Sequence, residues 1–175
     1  MNGDGKRFMP RNDFNAPNAA TLATGGGQST NVYAGGVYEL GPDEALVVEA
    51  HVPIAPLYQG FHLANLWGES LDYANHQSSL NAFQSERDAD GAFRYVVAHR
   101  DPGVANWLDT TGVPVGFMTF RWTYAEAPDD VPTVVVVKTD VADVRRHLAC
   151  LYAGGARARR SASAKPTCSG AIRQY

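Results

Sequence analysis

Residues 115–124 (VGFMTFRWTY) constrain the fold of this chain more than any other stretch. Met118, Phe120 and Trp122 fall on one side of an extended segment, and threonines and an arginine fall on the other. A period of two is that of a β-strand with one face buried and one face open. The segment is therefore predicted to be a strand whose Trp122 lies in a hydrophobic core.

Similar short segments recur along the chain, separated by turn signals rich in Gly, Pro and Asp. Strands are predicted at Asn31–Leu40, Ala45–Val52, Gln59–Trp67, Phe93–Arg100, Val115–Tyr124 and Thr133–Lys138, and a helix at Asp140–Leu151 with Asp140 as its N-cap. Many short strands followed by one late helix favour an all-β fold over a βαβ fold. The prediction is an antiparallel β-sandwich, jelly-roll-like, with a short C-terminal helix.

Two glycine-containing sites carry more specific predictions. Gly35-Gly36 interrupts the first strand and indicates a bulge or a tight bend. Asp90-Gly91 lies between Ser79–Ser85 and Phe93–Arg100, and Asp-Gly between two such runs is typical of a β-hairpin turn. The same pattern would make Phe61, Leu63, Asn65 and Trp67 share one face of their strand.

The chain of 175 residues is the size of one domain. Three parts are predicted: a flexible N-terminal segment at 1–30, the β-sandwich at 31–148, and a basic, weakly structured tail at 149–175. From Arg145 onward there are seven basic residues and no acidic ones, which leaves eight basic and 18 acidic residues in the body. An acidic body argues against nucleic acid as a partner.

Membrane and redox signals are also absent from the sequence. No run approaches the roughly 18 apolar residues that span a bilayer, and the N-terminus has no apolar signal core, so we expect a cytoplasmic protein without a membrane partner. The two cysteines, Cys150 and Cys168, lack metal-binding spacing and are expected to be inert thiols.

Three segments carry a resemblance to a known family. They read YxLGPDEALVV at Tyr38–Val48, LxNLWGESLDYAN at Leu63–Asn75 and DADGxFRYVVAHRDPGVxNWLDT at Asp88–Thr110. Together they resemble the bacterial family called domain of unknown function 1214, over roughly residues 14 to 148. The resemblance implies a β-sandwich of jelly-roll character, often preceded by a second uncharacterised domain. It supplies no catalytic residues, and the tail 149–169 departs from the charged, helical ending that it would imply.

Polar and aromatic residues are concentrated between Phe61 and Asp109, more than a plain core requires. Loops that follow neighbouring strands could bring them together at one end of the sandwich. The candidate ligand-binding residues are Trp67, Asp72, Tyr73, His76, His99, Asn106, Trp107 and Asp109. Aromatic rings combine a large contact area with a polar handle, which suits a small-molecule pocket.

General acid–base catalysis is the alternative for the same segment. Asp72 with His76, four apart on a helical turn, and His99 with Asp101 or Asp109 are the candidate pairs, so Asp72, His76 and His99 are the candidate catalytic residues. The histidines are scattered and lack the His-x-His spacing of metal-binding jelly rolls, so neither a metal nor another cofactor is predicted.

Three functions therefore stay open. A small-molecule-binding or accessory domain predicts an enclosed aromatic pocket, and an enzyme predicts an acid–base pair beside an open cavity. A structural module or homo-oligomer subunit predicts an exposed apolar patch or strand edge instead.

Overall fold

Two four-stranded sheets face each other in a computed structural model, which describes residues 9–17 and 30–149. The strands are β1 (Asn31–Glu39), β2 (Glu44–His51), β3 (Tyr58–Ala64), β4 (Ser79–Asn81), β5 (Phe93–Ala98), β6 (Trp107–Asp109), β7 (Val115–Thr123) and β8 (Thr133–Asp140). The first sheet has the order β1-β7-β3-β4 and the second β6-β5-β2-β8. All pairs are antiparallel except β5 with β6. The predicted antiparallel sandwich is confirmed.

The core between the sheets is aromatic, as the alternation in β7 predicts. Phe61 of β3 stacks on Phe120 of β7 with ring centroids 4.1 Å apart, and Phe120 stacks on Trp122 at 5.0 Å. Tyr95 of β5 meets Phe61 edge-on from the opposite sheet at 5.2 Å. Trp122 is fully buried, which confirms its predicted place in the core. Stacked and edge-on rings at these distances stabilise the contact between the sheets beyond the area that they bury.

The predicted bulge at Gly35-Gly36 is wrong, because β1 pairs with β7 in one unbroken register from Asn31 to Glu39. The glycines instead allow another segment to come close. A β-carbon on Gly36 would collide with the backbone oxygen of Asp13. Residues 10–15 lie along β1, where Asn12 N–H donates to Val37 O at 2.7 Å and Phe14 is buried against Phe61. The segment at 9–17 thereby covers the outer edge of β1.

The centre of the second sheet is covered on both faces, which explains why all six residues of β5 are buried. Its outer face carries a separate cluster in which Ala45, Val47 and Val96 pack against Val144 and Leu148. Val144 and Leu148 lie on the C-terminal helix, which begins with a tight turn at Val141–Asp143 and continues to residue 149. The short C-terminal helix is confirmed up to residue 149, and its predicted last residues lie outside the described part.

Two local predictions are met only in part. Asp140 is the N-cap of the helix, as predicted, with extended backbone angles, but its side chain makes no capping hydrogen bond. The turn at 88–91 forms, with Gly91 at φ +90°, yet it does not join a hairpin. β4 belongs to the first sheet and β5 to the second, so the connection crosses between sheets.

Arg94 holds the turn within that crossing connection. Its side chain is 4% exposed and pairs with Glu49, Asp88 and Asp90, at 2.6, 2.5 and 2.8 Å. The hydrogen bond from Arg94 lowers the pKa of Asp90. A buried guanidinium needs such partners, and a planar donor fork can serve several carboxylates at once. The turn residues are therefore held by an ion-pair cluster beside β2.

A buried chain of hydrogen bonds links the two sheets through the core. Trp122 Nε1 donates to Gln59 Oε1 at 3.1 Å, and Gln59 Nε2 donates to the Tyr95 hydroxyl at 3.0 Å. That hydroxyl donates onward to Ser85 Oγ at 3.1 Å. Gln59 is 1% exposed, so each of its polar atoms depends on these partners.

None of the helices in residues 9–17 and 30–149 is long and apolar enough to cross a membrane.

We expect Gln59→Leu to lower the free energy of unfolding by about 1–3 kcal/mol, because it leaves the Trp122 N–H and part of the Tyr95 hydroxyl unpaired in the core. Urea denaturation followed by fluorescence measures the change. Gln84→Leu is the matched control, since Gln84 is exposed and its Oε1 accepts one hydrogen bond, from the Asn81 N–H at 3.0 Å, so its loss should cost less than about 1 kcal/mol. Equal losses from both variants would contradict a structural role for the buried chain.

Candidate functional site

Trp67 lies at the tip of a tight turn and not on β3, which ends at Ala64. The side chain of Asn65 ends the strand, because its Oδ1 accepts hydrogen bonds from the N–H groups of Trp67 and Glu69, at 2.9 and 3.1 Å. Gly68 N–H donates to Asn65 O, and Gly68 has φ +80°, a conformation that glycine adopts without strain. The prediction that Trp67 shares a strand face with Phe61 is wrong, and its ring is 88% exposed.

Tyr73 lies on a second turn in the same connection between β3 and β4. Both oxygens of Asp72 accept hydrogen bonds from Asn75, one from its backbone N–H at 3.2 Å and one from its side-chain amide at 2.9 Å. The side-chain hydrogen bond from Asn75 is the main cause that lowers the pKa of Asp72. The carboxylate therefore shapes the turn, and the ring of Tyr73 is left 71% exposed.

His76 pairs with Asp109, not with Asp72 as predicted. His76 Nδ1 lies 2.8 Å from Asp109 Oδ2, and the other oxygen of Asp109 accepts the N–H of Thr111 at 2.7 Å. The segment at 72–77 is a turn and not a helix, so Asp72 and His76 meet only through a backbone hydrogen bond. The Asp109 N–H also donates to Gln77 O. The contact therefore fastens the β3–β4 connection to β6.

An orienting carboxylate beside an imidazole is also the arrangement of a general base. A second pair of this kind lies on β2, where His51 Nε2 is 2.8 Å from Glu49 Oε1. Both histidines are about half exposed. His76 and His51 thus show the same kind of pairing and a similar exposure.

His99 forms neither of its predicted pairs with Asp101 or Asp109. Its Nδ1 contacts the hydroxyl of Thr110, and its Nε2 lies 3.1 Å from Leu40 O. One ring thereby joins the ends of β5, β6 and β1. With both nitrogens engaged, His99 links the two sheets and has no ring nitrogen left for a substrate.

Asn106 and Trp107 hold the loop before β6. Asn106 is buried at φ +56°, its Oδ1 accepts the N–H of Glu86 at 2.7 Å, and its Nδ2 donates to Glu86 O and Arg94 O at 2.7 and 3.0 Å. Asparagine is among the few residues that tolerate this backbone region. Trp107 is half-buried, and its Nε1 donates to Ala98 O at 3.2 Å.

Two cavities in the described part of the chain each border only one of the eight candidate residues. Asn106 borders a cavity of about 220 Å³ together with Arg94, Arg145 and Leu148. His99 borders another of about 430 Å³, beside Leu40, Arg100 and Pro114. Neither contains Trp67 or Tyr73. In the described part of the chain no group of three potential ligands is placed to hold a metal ion.

The polar candidates therefore fix the backbone of the loops, and the two exposed rings are what those loops present. Leu66, which precedes Trp67 on the same turn, is 53% exposed and was not among the predicted residues. Its only sequence signal is its place in a turn that follows Asn65. We call Leu66, Trp67 and Tyr73 the aromatic loop surface.

We expect Asn106→Ala to lower the free energy of unfolding by about 2–3 kcal/mol, because it removes three hydrogen bonds and leaves an alanine at positive φ. Asn106→Gly removes the same bonds without the backbone strain and should cost roughly 1 kcal/mol less. Urea denaturation of both variants measures the difference. If alanine and glycine were equivalent, backbone strain at residue 106 would be excluded.

Comparison with models of known families gives no match, and comparison with curated proteins gives none either. Among solved structures, the chain is similar to an uncharacterised protein from Burkholderia cenocepacia, with 30% identity and a TM-score of 0.66, over 75% of this chain and 36% of that one. It also matches the VPA0106 protein from Vibrio parahaemolyticus, with 16% identity and a TM-score of 0.47, over 62% and 31% of the two chains. The chain thus spans about a third of the length of these neighbours.

Proposed function

We propose that this chain is an accessory β-sandwich module that docks onto a companion protein unit through the aromatic loop surface. The observation that carries the proposal is Trp67, whose ring is 88% exposed at the tip of a hydrogen-bonded turn.

The turn makes Trp67 suited to binding a protein. Burying a large apolar side chain contributes roughly 1.5–3 kcal/mol, and tryptophan and tyrosine are enriched among the residues that dominate interfaces. A ring held by an ordered turn loses little conformational entropy when it is covered. The side-chain hydrogen bonds of Asn65 and Asp72 hold the two turns in the unbound chain.

The kind of partner follows from the residues beside the rings. Glu69 follows Trp67 on its turn and Asp72 precedes Tyr73, and both carboxylates are exposed. An apolar centre with an acidic rim is complementary to an apolar pocket bordered by Lys and Arg. The length of the Burkholderia cenocepacia neighbour, of which this chain covers 36%, supports a companion unit beside this fold.

A small molecule fits these residues less well. Ligand pockets usually enclose most of the ligand surface, and rings that are 88% and 71% exposed provide one wall at most. The resemblance to domain of unknown function 1214 stays a prediction and adds no ligand of its own.

The proposal predicts what covers the matching surface in the Burkholderia cenocepacia crystal structure. We expect the positions that superpose on Leu66, Trp67 and Tyr73 to be covered by the part of that chain outside the match. The solvent-accessible area of those positions, with and without the rest of that chain, measures this. If the positions face solvent in the whole chain, docking at this surface is contradicted.

We expect Trp67→Ala to change the free energy of unfolding by less than about 0.5 kcal/mol, because the ring contributes to binding and not to the core. Trp122→Ala is the matched control, and loss of a buried tryptophan should cost about 3–5 kcal/mol. Thermal and urea denaturation measure both. A loss of more than about 2 kcal/mol for Trp67→Ala would show that its ring is a structural element.

A further inference from the structure

β8 has the longest open edge among the described strands. Residues 10–15 cover β1, and β4 and β6 are three residues long each, whereas β8 has eight residues. It pairs with β2 along its whole length, from Glu44↔Asp140 to His51↔Thr133, without a bulge. Within residues 9–17 and 30–149, no strand pairs with its other side.

The backbone hydrogen bonds identify which groups of β8 point to this edge. Val141 N–H donates to Asp43 O, one position beyond the last pair of the ladder. Bonded and non-bonded pairs alternate in an antiparallel ladder, so odd-numbered residues of β8 bond to β2. The N–H and C=O groups of Val134, Val136 and Lys138 therefore face outward.

The side chains of β8 do not protect this edge. Residues 133–137 (TVVVV) carry no charge and no proline, and Val135 and Val137 are 56% and 39% exposed on the outer face of the sheet. Proteins usually block a long edge with charges, proline or a bulge. The only cation of the strand, Lys138, is engaged 2.7 Å from Glu44 of its own sheet.

We propose that β8 pairs with β8 of a second copy of this chain, antiparallel about a two-fold axis through Val136. This surface is separate from the aromatic loop surface and does not depend on the docking proposed above. Pairing the two β8 edges joins the second sheet of one copy to the second sheet of the other, which makes one continuous sheet of eight strands. A two-fold axis closes the assembly at a dimer.

The sequence of β8 is complementary to itself in this register. Val135 faces Val137 of the second copy, and Val137 faces Val135, so the exposed valines cover each other on the outer face. The outward-facing groups form three bonded pairs, Val136 with Val136 and Val134 with Lys138 twice, which gives about six backbone hydrogen bonds. No like charges face each other across the axis. A second copy therefore satisfies both the backbone and the side chains of the edge.

Sedimentation equilibrium of the full chain tests the proposal. We expect a concentration-dependent species of twice the 18.9 kDa chain mass.

V135K/V137K places lysines opposite lysines and should weaken the dimer by at least about tenfold in Kd. V135K/V137E is the matched control: it replaces the same two exposed residues but sets opposite charges against each other, so the dimer should persist and become sensitive to salt. Thermal denaturation confirms that both variants are folded.

Amide hydrogen exchange gives a readout that distinguishes other occupants of the edge. In the dimer, the amides of Val134, Val136 and Lys138 should become protected as the concentration rises, while those of Val135 and Val137 are protected at every concentration by β2. Protection of Val136 in a monomer would assign the edge to another segment of this chain and overturn the proposal. A monomer at all concentrations, or equal behaviour of the two double variants, would overturn it as well.

Discussion

The contact between aromatic side chains of the two sheets is the interaction on which the rest of the structure depends. Phe61 and Phe120 stack within the first sheet, and Tyr95 reaches them edge-on from the second. Gln59 adds hydrogen bonds from the first sheet to Tyr95 and to Trp122, so the contact is both apolar and directional. Because this core fixes how the sheets face each other, it also fixes which strand ends and loops lie together.

The polar residues that suggest chemistry in the sequence are engaged by the fold. His76 and Asp109 fasten the β3–β4 connection to β6, and His99 joins the ends of three strands. Asn106 fills the loop before β6 with three hydrogen bonds. Because a loop backbone has no ladder partners, it takes side chains as partners, and those side chains resemble a site when only their types are known. The aromatic loop surface and the open edge of β8 are exposed features of the fold that these contacts do not use.

The alternation in β7 predicted its strand and the burial of Trp122. A strand with one buried face has apolar residues at every second position, so the pattern can be read from the sequence. The same reasoning extended β3 as far as Trp67 and was wrong there. One hydrogen-bonding side chain, Asn65, ends that strand, and a period cannot show it. Asp90-Gly91 predicted a turn correctly but not which strands it connects, because β4 pairs with β3 and β5 with β2, and a turn sequence does not specify such pairing.

The sequence by itself determined the fold class, most strand positions and the burial of Trp122, because these follow from local periodicity and turn chemistry. Only the tertiary structure decided which strands pair, which histidine meets which carboxylate, and which edge stays open. His76 lies 33 residues from Asp109 in the chain. In the strand order β6-β5-β2-β8, β2 lies between β8 and β5, so β8 is at the edge of its sheet in the described residues. Such contacts join residues far apart in the chain, and the free energy that selects among them comes from packing the whole sandwich.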